Sequence, residues 1–222
     1  SSPVTLNTLR AHRFGTVGKP IKGVRVRLAE DGEIEIQSPG LFAGYEADPE
    51  ATAAAFAPDG WFRTGDIGTL DPDGFLKITD RKKDLIITAG GKNIAPANLE
   101  AVIKDDARVS QVLVHGDRRA YLVALLTLEE SALRSARTLE PSANGAFDER
   151  GPTHRAIAEA IAAANQKLAR YETIKAFRVL TEELTVENGG LTPTLKVKRR
   201  AVEKRYAALL EGLYDETGRK SA

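Results

Sequence analysis

Cysteine and methionine are both absent from the 222 residues of this sequence. Without cysteine there can be neither a disulfide framework nor a thiolate metal site. The three histidines, His12, His115 and His154, are scattered along the chain, which argues against a histidine-based zinc cluster. Because the sequence starts with serine and contains no initiator methionine, we expect it to be the C-terminal piece of a longer protein.

Excess charge of one sign and long apolar runs are lacking as well. A formal net charge of +1 argues against a dedicated nucleic-acid-binding protein. The longest apolar run, near residues 121–128, is far too short to span a bilayer, and no signal-peptide pattern opens the chain. A composition with 42% hydrophobic and 28% charged residues is ordinary for a soluble globular protein. We therefore predict a cytoplasmic location and either one large domain or two small ones.

The first 80 residues are predicted to be mostly antiparallel β-structure. Apolar and charged residues alternate over 24–28 and again over 33–37, and the Asp-Gly pair between them is a hairpin turn signal. The alanine-rich stretch 49–56 predicts a short helix with Asp48 as its N-cap. Turn signals then separate two further strands before residue 80.

The remainder of the sequence mixes helices and strands. It predicts a helix over 96–104, a hairpin joining 109–115 to 121–128, and a strand over 174–180. A long helix is predicted to be capped by Thr153, and a last helix to run from about 200 to 214. Residues 138–152 read as a surface loop. Strands and helices on short connections predict an α+β domain.

Residues 81–84, Arg-Lys-Lys-Asp, interrupt two apolar β-type runs and cannot be core. They form either an exposed turn or a joint between domains. We predict the α+β class with an antiparallel β-rich N-terminal subdomain, residues 1–80, a hinge at 81–84, and a small α+β C-terminal domain, residues 85–222.

Four features could carry chemistry, and each has a plainer interpretation. Asp66 follows a glycine and could accept hydrogen bonds from two neighbouring ribose hydroxyls, or it could simply stabilise a turn or cap a helix. The Arg81 guanidinium suits a phosphate or sugar oxygen, or it is solvated charge. Gly90-Gly91 allows close approach of a ligand to the backbone, or makes a tight turn. The basic run 196–200 could deliver a lysine to developing negative charge, or begin a solvated helix.

Taken together, these segments resemble the adenylate-forming superfamily, which includes acyl- and aryl-CoA synthetases, luciferases and peptide-synthetase adenylation domains. The superfamily's aromatic-basic-Thr-Gly-Asp motif appears as residues 62–66, its hinge motif as 78–84, and its glycine loop as 90–96. The sequences of residues 81–93 and 191–199 resemble the corresponding segments of long-chain fatty acyl-CoA synthetases. The resemblance covers nearly the whole chain.

The resemblance implies a nucleotide site and a hinge. Asp66 would hold both ribose hydroxyls of ATP or of the acyl-adenylate. Ile78 would lie against the nucleotide, and Arg81 would contact the ribose and phosphate region. Lys83 would be the hinge residue about which the C-terminal domain turns between two half-reactions.

The resemblance also implies a thiol channel and a catalytic lysine. Gly90, Gly91 and Lys92 would border the pantetheine tunnel when the thioester forms. Lys198 would be the adenylation lysine, bridging the substrate carboxylate and the α-phosphate. Relatives often place glycine directly before this lysine, where this chain has Val197, and Lys196 is the alternative.

Two family segments are missing from the sequence: the Ser/Thr/Gly-rich phosphate loop, and the segment whose glutamate helps bind Mg²⁺. We therefore expect no metal ligand in this chain and expect the chain alone to be inactive, with the missing N-terminal domain as its intramolecular partner. The parent protein is predicted to be a long-chain fatty acid–CoA ligase that uses ATP, Mg²⁺ and CoA. The alternatives are an acyl-AMP ligase feeding a carrier protein, or a non-catalytic accessory or binding module. Peripheral membrane association is left unproven.

Overall fold

The computed structural model of the protein describes residues 3–140, 142–143 and 145–219. The chain divides between Leu85 and Ile86 into two compact units, called here the first and second units. Helices and strands occur in both, which confirms the predicted α+β class. The division lies next to the predicted segment 81–84, whose role as a hinge stays a prediction.

An antiparallel sheet is the centre of the first unit. The elements of this unit are β1 (Thr5–Leu6), β2 (Lys19–Pro20), β3 (Arg25–Leu28), β4 (Glu33–Gln37), α1 (Pro49–Ala55), β5 (Phe62–Leu70), β6 (Leu76–Arg81) and a 3₁₀ turn (Lys82–Asp84). The sheet order is β3-β4-β5-β6, and β3 pairs with β4 as the predicted hairpin. The predicted helix is α1, and its N-cap is Asp48, which accepts a hydrogen bond from the Ala51 amide at 2.8 Å.

Strand β4 is buried on both faces. On one face Ile34 and Ile36 pack with Leu76 in the apolar core of the unit. On the other face Glu33 and Glu35 are only 4% and 5% exposed. Alternation of apolar and charged residues is typical of a strand with one face in water. Here basic side chains pair with both carboxylates and cover that face, because buried charges need partners.

A three-stranded sheet is the centre of the second unit. The elements are β7 (Ile86–Ile87), β8 (Asn93–Ile94), α2 (Pro96–Ile103), β9 (Val109–His115), β10 (Leu122–Leu128), α3 (Glu130–Leu139), β11 (Ser142–Ala143), β12 (Ala146–Phe147), α4 (Pro152–Gln166), a 3₁₀ turn (Arg170–Glu172), β13 (Ile174–Val179), α5 (Arg199–Arg205) and α6 (Ala207–Arg219). The order is β13-β10-β9, with β9 antiparallel and β13 parallel to β10. The predicted hairpin and the predicted strand near Ile174 are confirmed.

Strand β10 is buried along its whole length. Residues on one face, such as Leu126, pack with Leu99 of α2 and Ile161 of α4. Residues on the other face, such as Leu125, pack with α5 and α6, including Val202. The second unit therefore has an apolar core on each side of its sheet.

Helix α3 was missed by the sequence analysis. Its buried apolar side chains are Leu133 and Ala136, a stripe too short to stand out in the sequence. The available signals were its strong helix formers, Ala, Leu, Arg and Glu, and the ion pair between Glu130 and Arg134 four residues apart.

Residues 138–152 are only partly the surface loop that was predicted. The segment starts inside α3 and contains the antiparallel pair β11–β12. Ala146 and Phe147 are buried, because they pack into the second unit. Residues 141 and 144 lie outside the described part of the chain.

The predicted cap of the long helix is wrong. Helix α4 begins at Pro152 with Gly151 as the N-cap, so Thr153 lies inside the first turn. The Thr153 amide donates instead to the Glu140 carboxylate at 3.1 Å. The hydrogen-bond acceptor for the first turn of α4 is therefore the Glu140 side chain, 13 residues earlier, and not the Thr153 hydroxyl that the sequence pattern predicted.

The single last helix that was predicted is in fact two helices, α5 and α6, with Tyr206 between them. The Tyr206 backbone has φ −107° and ψ 24°, outside the helical range. Its ring is buried and its hydroxyl donates to Glu182 at 2.8 Å. Burial, together with this hydrogen bond, raises the pKa of Tyr206 to about 12. The break between α5 and α6 thus coincides with a contact between Tyr206 and Glu182, which the apolar periodicity of the helix could not predict.

Candidate functional site

Asp66 and Arg81 lie directly opposite each other on β5 and β6. Arg81 Nε is 2.8 Å from Asp66 Oδ1. The Arg81 side chain is 58% exposed and that of Asp66 is 22% exposed. Asp66 Oδ2 and the two terminal guanidinium nitrogens have no hydrogen-bond partner among the described residues. The pair can therefore offer a carboxylate oxygen and two cationic N–H groups to one ligand.

A bulge in β5 presents Asp66. Glu33 pairs with Ile67 while Glu35 pairs with Arg63, so β5 has two more residues than β4 in this interval. Gly65 has φ +70°, the left-handed conformation that glycine adopts without strain. The motif residues 62–66 therefore lie in a bulged strand, and the bulge sets the direction of the Asp66 carboxylate.

The backbone leading into Asp66 is held by side chains. Thr64 Oγ1 donates to the Ile34 carbonyl at 2.7 Å and accepts from the Asp66 amide at 3.1 Å. The Gly65 amide donates to Glu33 Oε1 at 2.9 Å. These bonds fix the bulge to β4, so the position of Asp66 is set by the sheet.

Ile78 is an exposed apolar side chain on β6. It is 44% exposed and lies opposite Gly68 of β5, which has no side chain to cover it. Single exposed apolar residues are common on protein surfaces. This one lies on the same pair of strands as Asp66 and Arg81, as a nucleotide-contacting residue would have to.

The 3₁₀ turn after β6 begins with a lysine held by two carboxylates. Lys82 Nζ is 2.6 Å from Asp31 Oδ2 and 2.7 Å from Glu33 Oε2. The hydrogen bonds with Asp31 and Glu33 raise the pKa of Lys82, and the hydrogen bond with Lys82 lowers the pKa of Asp31. Lys83 is exposed, and its side chain has no partner among the residues that the structure describes.

The glycine loop is a tight turn with an open outer side. The Gly91 amide donates to the Thr88 carbonyl at 2.8 Å, and the Thr88 amide donates to the Lys92 carbonyl at 3.1 Å. Gly91 has φ +74°, and a Cβ on it would meet nothing within 4 Å in the described structure. Lys92 Nζ lies 5.8 Å from the ring centroid of the exposed Tyr171. The loop thus leaves room beside its backbone for a ligand.

A hydrogen-bonded loop precedes α5 and carries the two lysines of the basic run 196–200. Leu191 and Val197 form a β-bridge, and the Thr192 amide donates to the Lys196 carbonyl at 2.8 Å. The Lys198 amide donates to the Gly190 carbonyl at 2.8 Å. Lys196 and Lys198 therefore lie on a closed loop, called here the lysine loop (residues 190–198).

The backbone distinguishes the two lysines of this loop. Leu195 has φ +59°, the conformation that favours glycine, and Lys196 follows it directly. Val197, which precedes Lys198, is partly buried against the core of the second unit. The side chains of Lys196 and Lys198 are both exposed, and neither has a partner among the described residues.

An ion pair that the sequence analysis did not single out fixes the end of the lysine loop. Arg199 Nη2 donates to Glu100 Oε1 at 2.6 Å, and Nη1 donates to the Val114 carbonyl at 2.7 Å. Glu100 Oε1 also accepts from the Val114 amide at 2.8 Å. Both side chains are mostly buried, so this pair joins the loop to α2 and β9. The basic run thus contains one structural arginine among exposed charges.

Replacing Arg199 by alanine is expected to lower the free energy of unfolding by about 2–4 kcal/mol, because it removes a mostly buried ion pair with Glu100 and a hydrogen bond to the Val114 carbonyl. Arg200 is exposed and is the matched control, whose alanine variant should change stability by less than about 0.5 kcal/mol. Urea denaturation of the chain measures both values. Equal effects of the two variants would contradict the assignment of Arg199 as the anchor.

Glu33, Lys82, Glu100 and Arg199 are the supporting residues that sequence reasoning missed. Each lies in a charged stretch with no distinctive local pattern. The contacts of Glu33 with Gly65 and Lys82, and of Glu100 with Arg199, join residues at least 32 positions apart. The alternating pattern places Glu33 and Glu35 on a solvent-exposed face. Their burial could have been predicted only with knowledge of the side chains that cover that face. Such contacts leave no local pattern in the sequence.

Other features of the described residues do not coincide with these sites. A groove of about 620 Å³ lies along α3 and is lined by Leu133, Arg137 and Glu182 among others, but by none of the candidate residues. No three His, Asp or Glu side chains in the described part of the chain are placed to hold a metal ion. None of its described helices combines the length and apolar character needed to cross a membrane.

Similar solved structures are adenylation domains and CoA synthetases. The adenylation domain of the carboxylate reductase from Mycobacterium chelonae has a TM-score of 0.73 and 27% identity, over 90% of this chain and 32% of that chain. The o-succinylbenzoate coenzyme A synthetase from Bacillus subtilis, in complex with AMP, has a TM-score of 0.61 and 28% identity, over 85% of this chain and 35% of that chain. The fold is therefore that of the adenylate-forming enzymes, as the motifs indicated.

Residues 83–218 match the family model for the AMP-binding enzyme C-terminal domain, and the chain belongs to this family. Long-chain-fatty-acid–CoA ligase FadD15 of Mycobacterium tuberculosis is 40% identical over 220 residues, covering 97% of this chain and 36% of that protein. Long-chain-fatty-acid–CoA ligase 5 of Mus musculus is 36% identical over 219 residues, covering 90% of this chain and 32% of that protein. The chain thus spans about a third of the length of these relatives.

Proposed function

We propose that this chain is the C-terminal part of an ATP-dependent long-chain fatty acid–CoA ligase. In the first half-reaction, an oxygen of the fatty acid carboxylate attacks the α-phosphorus of ATP and pyrophosphate leaves. In the second, the CoA sulfur attacks the acyl carbon and AMP leaves. The observation that carries the proposal is the 40% identity over 220 residues to a protein named as such a ligase.

Asp66, Arg81 and Ile78 would form the nucleotide side of the site in the first unit. Asp66 Oδ2 and the Arg81 guanidinium have the free hydrogen-bonding capacity to bind a ribose diol and a nearby phosphate oxygen. Ile78 offers an apolar surface on the same strands. The two strands are paired in one sheet, which already holds these side chains close together. Nucleotide binding would therefore cost little conformational entropy in the protein.

A lysine of the lysine loop would stabilise the negative charge that grows as pyrophosphate leaves. The family resemblance assigns this role to Lys198 and leaves Lys196 as the alternative. The left-handed Leu195 supports Lys196, because relatives often carry glycine just before the catalytic lysine and glycine is the residue that adopts this conformation freely. We therefore propose Lys196 as the adenylation lysine and keep Lys198 as the competing assignment.

The glycine loop would serve the second half-reaction. Gly90, Gly91 and Lys92 would border the channel for the pantetheine arm of CoA, since the loop leaves open space outside Gly91. Lys83 would be the hinge residue between the two half-reactions. Its exposed side chain, without a partner among the described residues, leaves it free of contacts that a turning joint would have to break.

The rest of the site would belong to the part of the relatives that this chain does not span. That part would supply the phosphate loop, the acyl pocket and the glutamate that helps hold Mg²⁺; we assign no Mg²⁺ ligand to the chain itself. ATP, CoA and a fatty acid would be the small-molecule partners, and the remaining N-terminal portion the intramolecular one. The predicted cytoplasmic location stays a prediction.

Two other functions remain distinguishable by experiment. An acyl-AMP ligase would form the acyl-adenylate but transfer the acyl group to a carrier protein and not to CoA. An accessory module would do neither. The open glycine loop favours transfer to a pantetheine thiol, which both CoA and carrier proteins carry, and the names of the relatives favour CoA.

Replacing Asp66 by asparagine in the full-length parent enzyme is expected to raise the KM for ATP by about 10- to 100-fold, because a charged acceptor for the ribose hydroxyls is lost. ATP–pyrophosphate exchange with a long-chain fatty acid measures this value. Asp48→Asn is the matched control in the same unit, since asparagine also caps α1 and the variant should keep the normal KM.

The same assay tests the function as a whole. The parent enzyme should catalyse exchange, whereas the chain alone should not. Exchange by the chain alone would contradict the proposal that it holds only part of the site. An unchanged KM in Asp66→Asn would remove Asp66 from the nucleotide site.

A further inference from the structure

Glu33 is a buried carboxylate that connects two functional segments of the first unit. Its Oε1 accepts from the Gly65 amide at 2.9 Å, directly before Asp66. Its Oε2 accepts from Lys82 Nζ at 2.7 Å, at the first residue of the 3₁₀ turn. With 4% exposure, Glu33 has little water to replace either partner.

The two contacts have different ranges along the chain. Gly65 is 32 residues from Glu33 and Lys82 is 49 residues from it, so neither follows from local structure. Asp31, two residues earlier, holds Lys82 from a second direction at 2.6 Å. A lysine between two carboxylates is fixed more firmly than one in a single surface pair, whose strength is small. The neighbouring Lys83 has no comparable contact among the described residues.

We propose that Glu33 and Lys82 form an anchor that fixes the first residue of the 82–84 turn to the bulge carrying Asp66. The anchor makes Lys82 part of the sheet of the first unit, and the connecting segment is free to turn only from Lys83 onward. It also holds the Gly65 amide, and with it Asp66, in one orientation in both half-reactions. Glu33 is thus a positioning residue, and the inference rests on the proposed function.

Limited trypsin cleavage of the full-length parent enzyme tests the anchor. Trypsin must take the side chain of the residue before the cut into its own pocket, so a lysine held by two carboxylates is protected. Cleavage is expected after Lys83 and not after Lys82 in the wild type. Glu33→Gln should increase cleavage after Lys82 by about tenfold, because the charged hydrogen bond is lost. Mass spectrometry of the peptides distinguishes the two cuts.

Glu35→Gln is the matched control. Glu35 lies on the same face of β4, is equally buried, and forms ion pairs with Arg27 and Arg63 and not with the 82–84 turn. It should leave cleavage after Lys82 unchanged. Equal cleavage in the two variants, or no change in Glu33→Gln, would overturn the anchor. If Glu33→Gln does not fold, Asp31→Asn is the substitute test, since it weakens the other ion pair of Lys82 at an exposed residue. An increase in cleavage after Lys82 would support the anchor, and no increase would overturn it.

Exchange kinetics supply a second readout. Glu33→Gln should raise the KM for ATP by about tenfold through displacement of the bulge, whereas Glu35→Gln should stay within about twofold of the wild type. A normal KM in Glu33→Gln would overturn its positioning of Asp66. If the wild-type parent shows no exchange but the cleavage pattern is as expected, the proposed function fails and the anchor stands.

Discussion

Lys196→Ala in the full-length parent enzyme is expected to slow acyl-adenylate formation by about 100- to 1,000-fold. The lysine would meet negative charge that develops as pyrophosphate leaves, and loss of one such preorganised group has effects of about this size. Thioester formation from supplied acyl-adenylate should be retained, because that half-reaction has no departing pyrophosphate. ATP–pyrophosphate exchange measures the first step, and acyl-CoA formation from acyl-adenylate measures the second.

Lys198→Ala is the competing variant on the same loop. If the left-handed Leu195 marks the position before the catalytic lysine, Lys198→Ala should slow adenylation by less than about tenfold, which fits the loss of an exposed charge near the site. The reverse result, a large loss in Lys198→Ala and a small one in Lys196→Ala, would establish the sequence-based assignment and refute the argument from the backbone. Normal adenylation in both variants would remove the lysine loop from the reaction.

Gly91→Leu is expected to show the opposite pattern, with acyl-CoA formation reduced by about 100-fold and adenylation nearly normal. The Cβ position of Gly91 faces open space, so a leucine would project into the region proposed for the pantetheine arm. Displacement of a reacting group by about 1 Å can cost about 100-fold in rate. Acyl-CoA formation from supplied acyl-adenylate, with varied CoA, measures the effect.

Gly91→Ala separates bulk from backbone strain. Gly91 has φ +74°, so any side chain with a Cβ is strained there by about 1–2 kcal/mol. Alanine carries that strain without the bulk and should keep most of the CoA-dependent rate. Equal losses in the alanine and leucine variants would assign the effect to strain, and an unharmed CoA step in Gly91→Leu would remove the loop from the channel.

Several elements could be predicted because their causes are local. The Asp-Gly turn between two alternating runs predicted the β3–β4 hairpin, and Asp48 before proline predicted the start of α1. The motif residues Asp66 and Arg81 were paired on functional grounds, and the register of β5 and β6 places them opposite each other. The hairpin and the start of α1 each depend on hydrogen bonds within a few residues of sequence. The Asp66–Arg81 pair depends in addition on the register of two strands.

Other features failed prediction because distant contacts decide them. Helix α4 begins before Thr153, whose amide is bound by Glu140, and the last helix breaks where Tyr206 reaches Glu182. The burial of Glu33 depends on Lys82, which is far away in the chain. No periodicity or propensity records such contacts.

The sequence by itself determined the α+β class, the hairpins, and the motifs that relate this chain to the AMP-binding enzyme family, because these depend on residue order over short spans. Tertiary structure decided which charged residues are supports and which are exposed. Glu33 and Arg199 are fixed in ion pairs, whereas Lys83 and Lys196 are not, among the described residues. The physical reason is that burial and pairing of a charge depend on neighbours brought together by folding, and identical side chains in one basic run can have opposite surroundings.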